Sequence, residues 1–476
     1  MARVTALAGW PPEVLAYAYA MYSRSPLSIR DSIAKITNEK SAGFLDTFYF
    51  KYGHKSIADN AHVPLALERI SEIAAFEIED EQLWDGQEQS TRFQNFRNGG
   101  YYIPQEIRDT PQESTYIEIA DFLLGQYNYL SDECFKYLLA ILTKPADMKD
   151  DVYERTLKAR AFDVARYWLF GGVLTNVGQI TSARTLESQV CRLLSSEYPE
   201  IRELGLAMKN ACISEPLCPP GKSEPPIAPT LVKYTEANVY RITLREKMRT
   251  MAKEIFSRVP LATKRYVALA PKIELENEIV ATLLYETSNH SYLNILTVVA
   301  EMSEREKAGI IDFALGDRGR HDPLPKAFAS GYQIQFDVVM DRGGERDLHR
   351  HRNCIQIHQP LTLERGYDIP KLISDINLGL EYHRNMLAVG EKIAKLKREI
   401  GNAADYLIPF AYRSATLYKM HLAEAGYLTE LRSGVTGHFS YREVACEMHR
   451  QLVERHPVVA NHLRVTPFEQ VDLLKR

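Results

Sequence analysis

Cysteine is scarce in this chain, with six in 476 residues, and no two of them are spaced as a C-x-x-C pair. That spacing argues against a disulfide framework or a zinc finger and for reduced thiols. Long apolar runs are missing too. No window approaches ~18 uninterrupted apolar residues, and the N-terminus lacks a basic stretch leading into an apolar run, so neither a membrane span nor a signal peptide is expected. A cytoplasmic protein follows from that reading. Positive charge is not in excess: 58 Lys and Arg stand against 62 Asp and Glu, for a formal net charge of -4. Binding of duplex nucleic acid runs on surplus cations, so it is not expected, and phosphate recognition needs a local arginine cluster. No G-x-G-x-x-G follows a strand. The Gly221-Lys222-Ser223 triplet has Pro216 where a phosphate loop needs Gly, and it sits in a Pro-rich stretch. Only three tryptophans occur, Trp10, Trp84 and Trp168; they read as core or interface packing, with Trp84 alone close to a polar motif.

What is present is an internal repeat. Around Gly53 and His54 the first half runs KYGHKSIADNAHVPLALERISEIAAFEIEDEQLWDGQEQSTRF. Around Gly319 and His321 the second runs RGRHDPLPKAFASGYQIQFDVVMDRGGERDLHRHRNCIQIHQP. Each has a Gly-His turn, a short strand, a helix and a polar segment in the same order. The match extends upstream, pairing Val4 with Val267, Ala18 with Ala281 and Tyr22 with Tyr285, and more loosely downstream. The segment 212–230 is dense in Pro, which continues neither helix nor central strand, and acts as a semi-rigid spacer. The domains expected are 1–211 and 231–476, joined by 212–230. At 45% hydrophobic and 25% charged residues, the chain is long enough for two cores.

Tyr332, Ile334, Phe336 and Val338 alternate with Gln333, Gln335 and Asp337, the period of a half-buried strand. Val63, Leu65 and Leu67 alternate likewise, with Pro64 placing that strand at an edge or start. Leu157, Ala161, Val164 and Trp168 share one helical face over 151–170, with Gly171 and Gly172 as a stop signal. Further helices are expected over 36–52, 116–143 and 380–400. Each half is therefore α+β, helix-rich, with a small antiparallel sheet.

Arg350, His351 and Arg352, preceded by Arg346 and His349, make a concentrated positive site whose guanidinium forks suit phosphate oxygens. A solvated basic helix face is the plainer reading. In the first half Glu88, Ser90 and Arg92 alternate, so an extended segment would aim an acceptor, a hydroxyl and a cation the same way; the plainer reading is an exposed polar loop. His349, His351, Cys354 and His358 are metal-ligand types, yet the repeat places a helix there, where side chains two apart diverge, so no metal is expected.

These motifs resemble those of the flavin-dependent thymidylate synthases, marked by R-H-R-x-x-S-x-N-E-x-S-x-R-Y with G-H-x-S upstream and A-R and L-R elements downstream. The first half matches at Gly53, His54 and Ser56, at Glu88, Ser90, Arg92 and Phe93, at Ala165 and Arg166, and at Arg192, Glu200 and Ile201. Its R-H-R positions hold Asp80, Glu81 and Gln82, and Asp85 and Gln87 replace the first Ser and the Asn. The second half keeps Arg350, His351 and Arg352 with Leu431 and Arg432, but has Pro360 and Thr362 at S-x-R, Pro323 for the upstream Ser and Asp405 for the downstream Arg.

The resemblance implies two tandem copies of that α+β domain and a chain that dimerises into a pseudo-tetramer. It implies FAD held by Arg350, His351, Arg352, His54 and Ser56, and dUMP or a related pyrimidine nucleotide held by Glu88, Ser90, Arg92, Arg166 and Arg192. Ser90, Arg92 and Arg192 would stand nearest the chemistry, reductive methylation of the nucleotide with NADPH and methylenetetrahydrofolate as co-substrates. A non-catalytic flavin- or nucleotide-binding scaffold is the alternative.

Overall fold

The computed structural model describes residues 7 and 9–475 apart from 24, 26–27, 35, 48–54, 233–234, 320–321 and 323. Val4, Gly53, His54, His321 and Pro323 of the sequence reading thus lie outside the described residues. The helices in chain order are α1 (Pro12–Ala20), α2 (Ile29–Ile33), α3 (Asn38–Leu45), α4 (Glu72–Glu79), α5 (Pro111–Ile141), α6 (Asp150–Ala165), α7 (Ala183–Leu194), α8 (Pro199–Ile213), α9 (Val239–Ile255), α10 (Leu275–Glu286), α11 (Tyr292–Glu301), α12 (Glu304–Leu315), α13 (Arg342–His349), α14 (Lys371–Asp375), α15 (Gly379–Ile400), α16 (Leu422–Ser433), α17 (Phe439–Arg455) and α18 (Pro457–Ala460). The strands are β1 (His62–Ser71), β2 (Asp85–Glu88), β3 (Leu174–Ser182), β4 (Tyr266–Leu269), β5 (Ile334–Asp341), β6 (Ile355–His358) and β7 (Arg413–Met420).

The chain divides into two compact units. The first comprises Met1–Arg69, Glu77–Glu88 and Asn176–Val239; the second comprises Ile70–Phe76, Gln89–Thr175 and Tyr240–Arg476. The second unit therefore draws on the middle of the first repeat as well as on the second repeat.

In the first unit the strands run in the order β1-β3-β2, with β2 antiparallel to β3 and Asp85 opposite Ile180. β1 is an edge strand with Pro64 near its start, as its sequence implied. Ser182 caps α7 by accepting from the Thr185 amide. The buried Glu13 carboxylate of α1 accepts from the amides of Thr230 and Leu231, both at 2.8 Å, which ties down the end of the Pro-rich segment.

In the second unit the antiparallel order is β4-β5-β7-β6, and β5 pairs with β7 from Ile334 opposite Met420 to Asp341 opposite Arg413. The alternation in β5 implied a half-buried strand, yet every residue from Ile334 to Asp341 is buried. Both faces are covered. Val280, Leu284 and Ile295 of α10 and α11 pack with Ile355, Ile357 and Leu417, while Val444 and Met448 of α17 pack with Phe336, Val338 and Met340. The polar residue this buries, Asp337, accepts from the Tyr266 and Tyr285 hydroxyls at 2.6 and 2.9 Å and from the Tyr292 amide at 2.7 Å.

The expected long helices form as α5, α6 and α15, whereas of the helix expected over 36–52 the described residues form α3 over Asn38–Leu45. Leu157, Ala161, Val164 and Trp168 are all buried. Gly171 and Gly172 do not stop α6, which ends at Ala165 before a 3-10 turn over Arg166–Trp168. Instead, within the second unit, they let equivalent loops of the two repeats meet. Phe410 and Ala411 amides donate to the Leu169 and Tyr167 carbonyls, and Gly171 and Gly172 amides donate to the Ile408 and Tyr406 carbonyls. A Cβ on Gly171 would lie 2.8 Å from the Ile73 side chain and 3.2 Å from the Asp405 carbonyl oxygen.

Candidate functional site

The repeat is written into the main chain where each copy passes from strand to helix. Ser71 accepts from the Ala74 amide at 3.0 Å, and Asp341 accepts from the Gly344 amide at 2.7 Å, so each caps the helix that follows. The Glu72 amide donates to Val173 and the Arg342 amide to Tyr412; one residue on, Ile73 donates to Gly171 and Gly343 to Phe410. Glu72 is thus the structural counterpart of Arg342, and Phe76 that of Arg346. These four side chains contact each other reciprocally. Arg346 pairs with Glu72 at 2.7 Å, both buried, and the Arg342 guanidinium lies 3.6 Å from the Phe76 ring centroid. An ion pair and a cation–π contact have replaced what two identical copies would build as the same contact twice.

Next to this crossing, arginines converge on Asp347. Arg166, 1% exposed, donates to its carboxylate from both terminal nitrogens at 3.2 Å. Burial alone would raise the Asp347 carboxyl; the guanidiniums of Arg166, Arg92, Arg432 and Arg350 instead hold it down at about 2. The Thr91 hydroxyl accepts from Arg346 at 3.1 Å and from Arg166 at 3.5 Å. Arg92 is buried, donating to Asp163 at 2.8 Å, to the Tyr441 hydroxyl at 2.9 Å and to the Thr436 carbonyl at 3.2 Å. Burial opposes its charge, and Asp163, Tyr441 and Asp347 together more than compensate, raising its pKa. The Nε of Arg166 is buried and has no hydrogen-bond partner.

The other residues singled out from sequence take varied places. Glu88 ends β2, and the chain then turns instead of staying extended: the Ser90 carbonyl accepts from the Phe93 and Gln94 amides, and the Ser90 hydroxyl accepts from the Arg92 amide. The alternation argument for Glu88, Ser90 and Arg92 therefore stops at Glu88. Ser56 is exposed on a 3-10 turn over Lys55–Asn60. Arg192 donates to Glu81 at 3.0 Å and to Glu77 at 2.9 Å. Its counterpart Arg432 donates to His351 at 2.8 Å, so the middle R-H-R position binds the late arginine in both repeats.

His351 is buried, and its other ring nitrogen lies 3.1 Å from the Glu424 carboxylate. Burial lowers its pKa, with Arg432 adding to that and Glu424 opposing it. A flavin phosphate would find neither nitrogen of His351 available; Arg350, exposed, and Arg352, half-buried, retain surface access. The donor set fits a flavin phosphate at those two guanidiniums and not at the imidazole. The helix expected beneath the histidine group ends at His349, and His358 lies on β6, its ring centroid 5.0 Å from that of His349.

Sequence reasoning missed Glu72, Thr91, Asp163 and Asp347, the partners of the arginines it found. Among the described residues no helix is long and apolar enough to cross a membrane.

The two copies of this α+β fold meet beside an arginine cluster, and a family model finds the same duplication. The chain matches the Thy1 family, thymidylate synthase complementing protein, over residues 7–216 and again over 269–458, and it belongs to that family. It is similar to the UPF0159 protein of Chlamydia muridarum, 25% identical over 99% of this chain and 93% of the relative. It is similar also to the UPF0159 proteins of Chlamydia pneumoniae, at 24% over 99% and 93%, and Thermoplasma acidophilum, at 23% over 90% and 89%. Among solved structures it matches the flavin dependent thymidylate synthase ThyX of Helicobacter pylori complexed with FAD and dUMP. There the identity is 12%, covering 42% of this chain and 89% of that one, with a TM-score of 0.25.

Proposed function

We propose that the protein binds a pyrimidine nucleotide, dUMP in the first instance, with the phosphate held by Arg92, Arg166 and Arg346 where Asp347 now sits. The observation that carries this is the Asp347 carboxylate accepting from both terminal nitrogens of the buried Arg166 at 3.2 Å, an arginine whose Nε is buried and has no hydrogen-bond partner. An anionic ligand of higher charge than a carboxylate competes for such a cluster on favourable terms. Ser90 and Glu88 stand on the segment leading into it. Arg192 enters the reading only on release from Glu77 and Glu81.

In the catalytic form of this reading FAD, when bound, supplies the hydride chemistry for reductive methylation, with NADPH and methylenetetrahydrofolate as co-substrates. Arg350 and Arg352 are the residues on this chain suited to its phosphates, with His54 and Ser56 as the upstream pair. A cytoplasmic homodimer forming a pseudo-tetramer belongs to the same proposal. The engagement of Arg92 with Asp163, and of both His351 nitrogens with Glu424 and Arg432, favours a second reading, a nucleotide-binding scaffold without turnover.

A visible absorbance spectrum of the freshly purified protein, before and after dUMP, separates the two. Flavin bands that shift with dUMP support the catalytic form. A colourless protein that binds dUMP and cannot be reconstituted with FAD leaves the scaffold, and one that binds neither ends the proposal.

A further inference from the structure

The segment 464–475, which follows α18, forms neither helix nor strand, and none of its residues is buried. Leu463, just before it, packs against the core that includes Tyr441, Val444 and Met448 of α17. Beyond that anchor the segment is held by polar contacts. The Arg464 amide donates to Glu430 at 2.7 Å and the Thr466 amide to the Ser433 hydroxyl at 3.0 Å. Arg442 of α17 donates to the Pro467 and Gln470 carbonyls at 3.2 and 2.9 Å. Arg160 of α6 donates to the Asp472, Leu473 and Lys475 carbonyls at 3.0, 3.1 and 2.9 Å. Both arginines are buried. A segment with no buried apolar side chain, held by hydrogen bonds, opens at lower free energy than the core beneath it.

Arg160 joins this segment to the arginine cluster. Three residues further along α6 lies Asp163, the counterion of Arg92, which donates to Oδ1 at 2.8 Å and to Oδ2 at 3.4 Å. The Nη1 of Arg160 stands 3.6 Å from the same Oδ2, longer than a hydrogen bond, while its Nε and Nη2 are turned to the segment. Two buried guanidiniums thus flank one carboxylate.

We propose that residues 464–475 are a releasable strap that restrains nucleotide binding. Docked, the strap engages Arg160 with its carbonyls and leaves Asp163 to Arg92. Released, it deprives Arg160 of three acceptors. The guanidinium then closes on Asp163, a charged and therefore stronger acceptor than a carbonyl, and Arg92 is freed to meet a phosphate. The coupling is reciprocal: a phosphate that draws Arg92 from Asp163 leaves the carboxylate to Arg160 and loosens the strap. The inference rests on the nucleotide reading of Arg92 and adds its regulation.

The test combines calorimetric titration of dUMP with hydrogen exchange over 464–475 read by mass spectrometry. It uses wild type, the chain lacking 464–476, Arg160→Gln, and the two changes together. Truncation should tighten dUMP binding about fivefold or more. Arg160→Gln should speed exchange in the strap yet bind dUMP no more tightly than wild type. It should also cancel the gain from truncation, because Arg160 is no longer there to take Asp163. In wild type, saturating dUMP should speed exchange in the strap, and this readout decides where truncation prevents folding. Equal dUMP affinity in folded wild-type and truncated chains, or strap exchange unmoved by dUMP, overturns the inference and leaves the nucleotide reading standing. So does a gain from truncation that survives Arg160→Gln. Binding of dUMP by neither chain ends both.

Discussion

Arg166 of the first repeat donates through both terminal nitrogens to the Asp347 carboxylate of the second, at 3.2 Å each. Both residues come from segments that the sequence reading assigned to ligand phosphates, and the pairing closes the cluster on itself. Removing one partner of a buried pair leaves the other uncompensated. Asp347→Asn should therefore cost about 3–5 kcal/mol of unfolding free energy in ligand-free protein. Urea unfolding measures it, and a change under about 1 kcal/mol would show that water or another group already compensates Arg166.

The Glu72–Arg346 pair links the two copies where each passes from strand to helix. Glu72→Gln and Arg346→Met should each destabilise, and the double variant should recover part of the loss, with a coupling of about 1–3 kcal/mol. Additive losses in a double-mutant cycle would mean that the two side chains act separately.

Gly171 lies where the loops of the two repeats meet, packed against Ile73. Gly171→Ala should destabilise by about 1–3 kcal/mol because a Cβ there overlaps Ile73. Gly178→Ala, which meets nothing within 4 Å, should change the thermal midpoint little. Equal behaviour of the two variants would contradict the close approach.

Acid should unfold the protein in two stages. His438 is buried with its pKa pushed well below the usual value, first by desolvation and then by Arg166. The unfolded chain therefore binds that proton more readily, and stability begins to fall below pH about 6.5. Asp347 is depressed from 3.8 to about 2. Its contribution is complete above its unfolded value and is lost as pH falls from about 4 towards 2. Urea midpoints against pH should show both stages, and Asp347→Asn should shrink the lower one, to which the buried Glu345 beside Arg342 also contributes, and leave the upper one in place.

The helix-rich fold was legible because its long amphipathic helices and β1 with Pro64 follow period rules that tertiary packing did not override. The repeat was legible for a different reason: Gly, His and Arg recur in one order in both halves. β5 was misjudged because alternation does not reveal that helices cover the polar face as well, with Tyr266 and Tyr285 satisfying Asp337. Gly171 and Gly172 look like a helix stop from the sequence, since a close approach to residues more than two hundred positions away leaves no local signal. The arginines of the site could be named for the same reason, as cations with few ordinary roles in such a pattern. Their carboxylates could not, because an isolated Asp163 or Glu72 is indistinguishable from surface charge until the fold buries it.

The central claim is that the cluster around Asp347 is a nucleotide-phosphate site held shut by a carboxylate. The measurement that tests it most directly is calorimetric titration of dUMP into wild type and Asp347→Asn. The account predicts at least about tenfold tighter binding in the variant, because a repelling charge is gone and Arg166 is released. Uridine without phosphate should show no such gain. Equal or weaker binding of dUMP by a folded Asp347→Asn would contradict it.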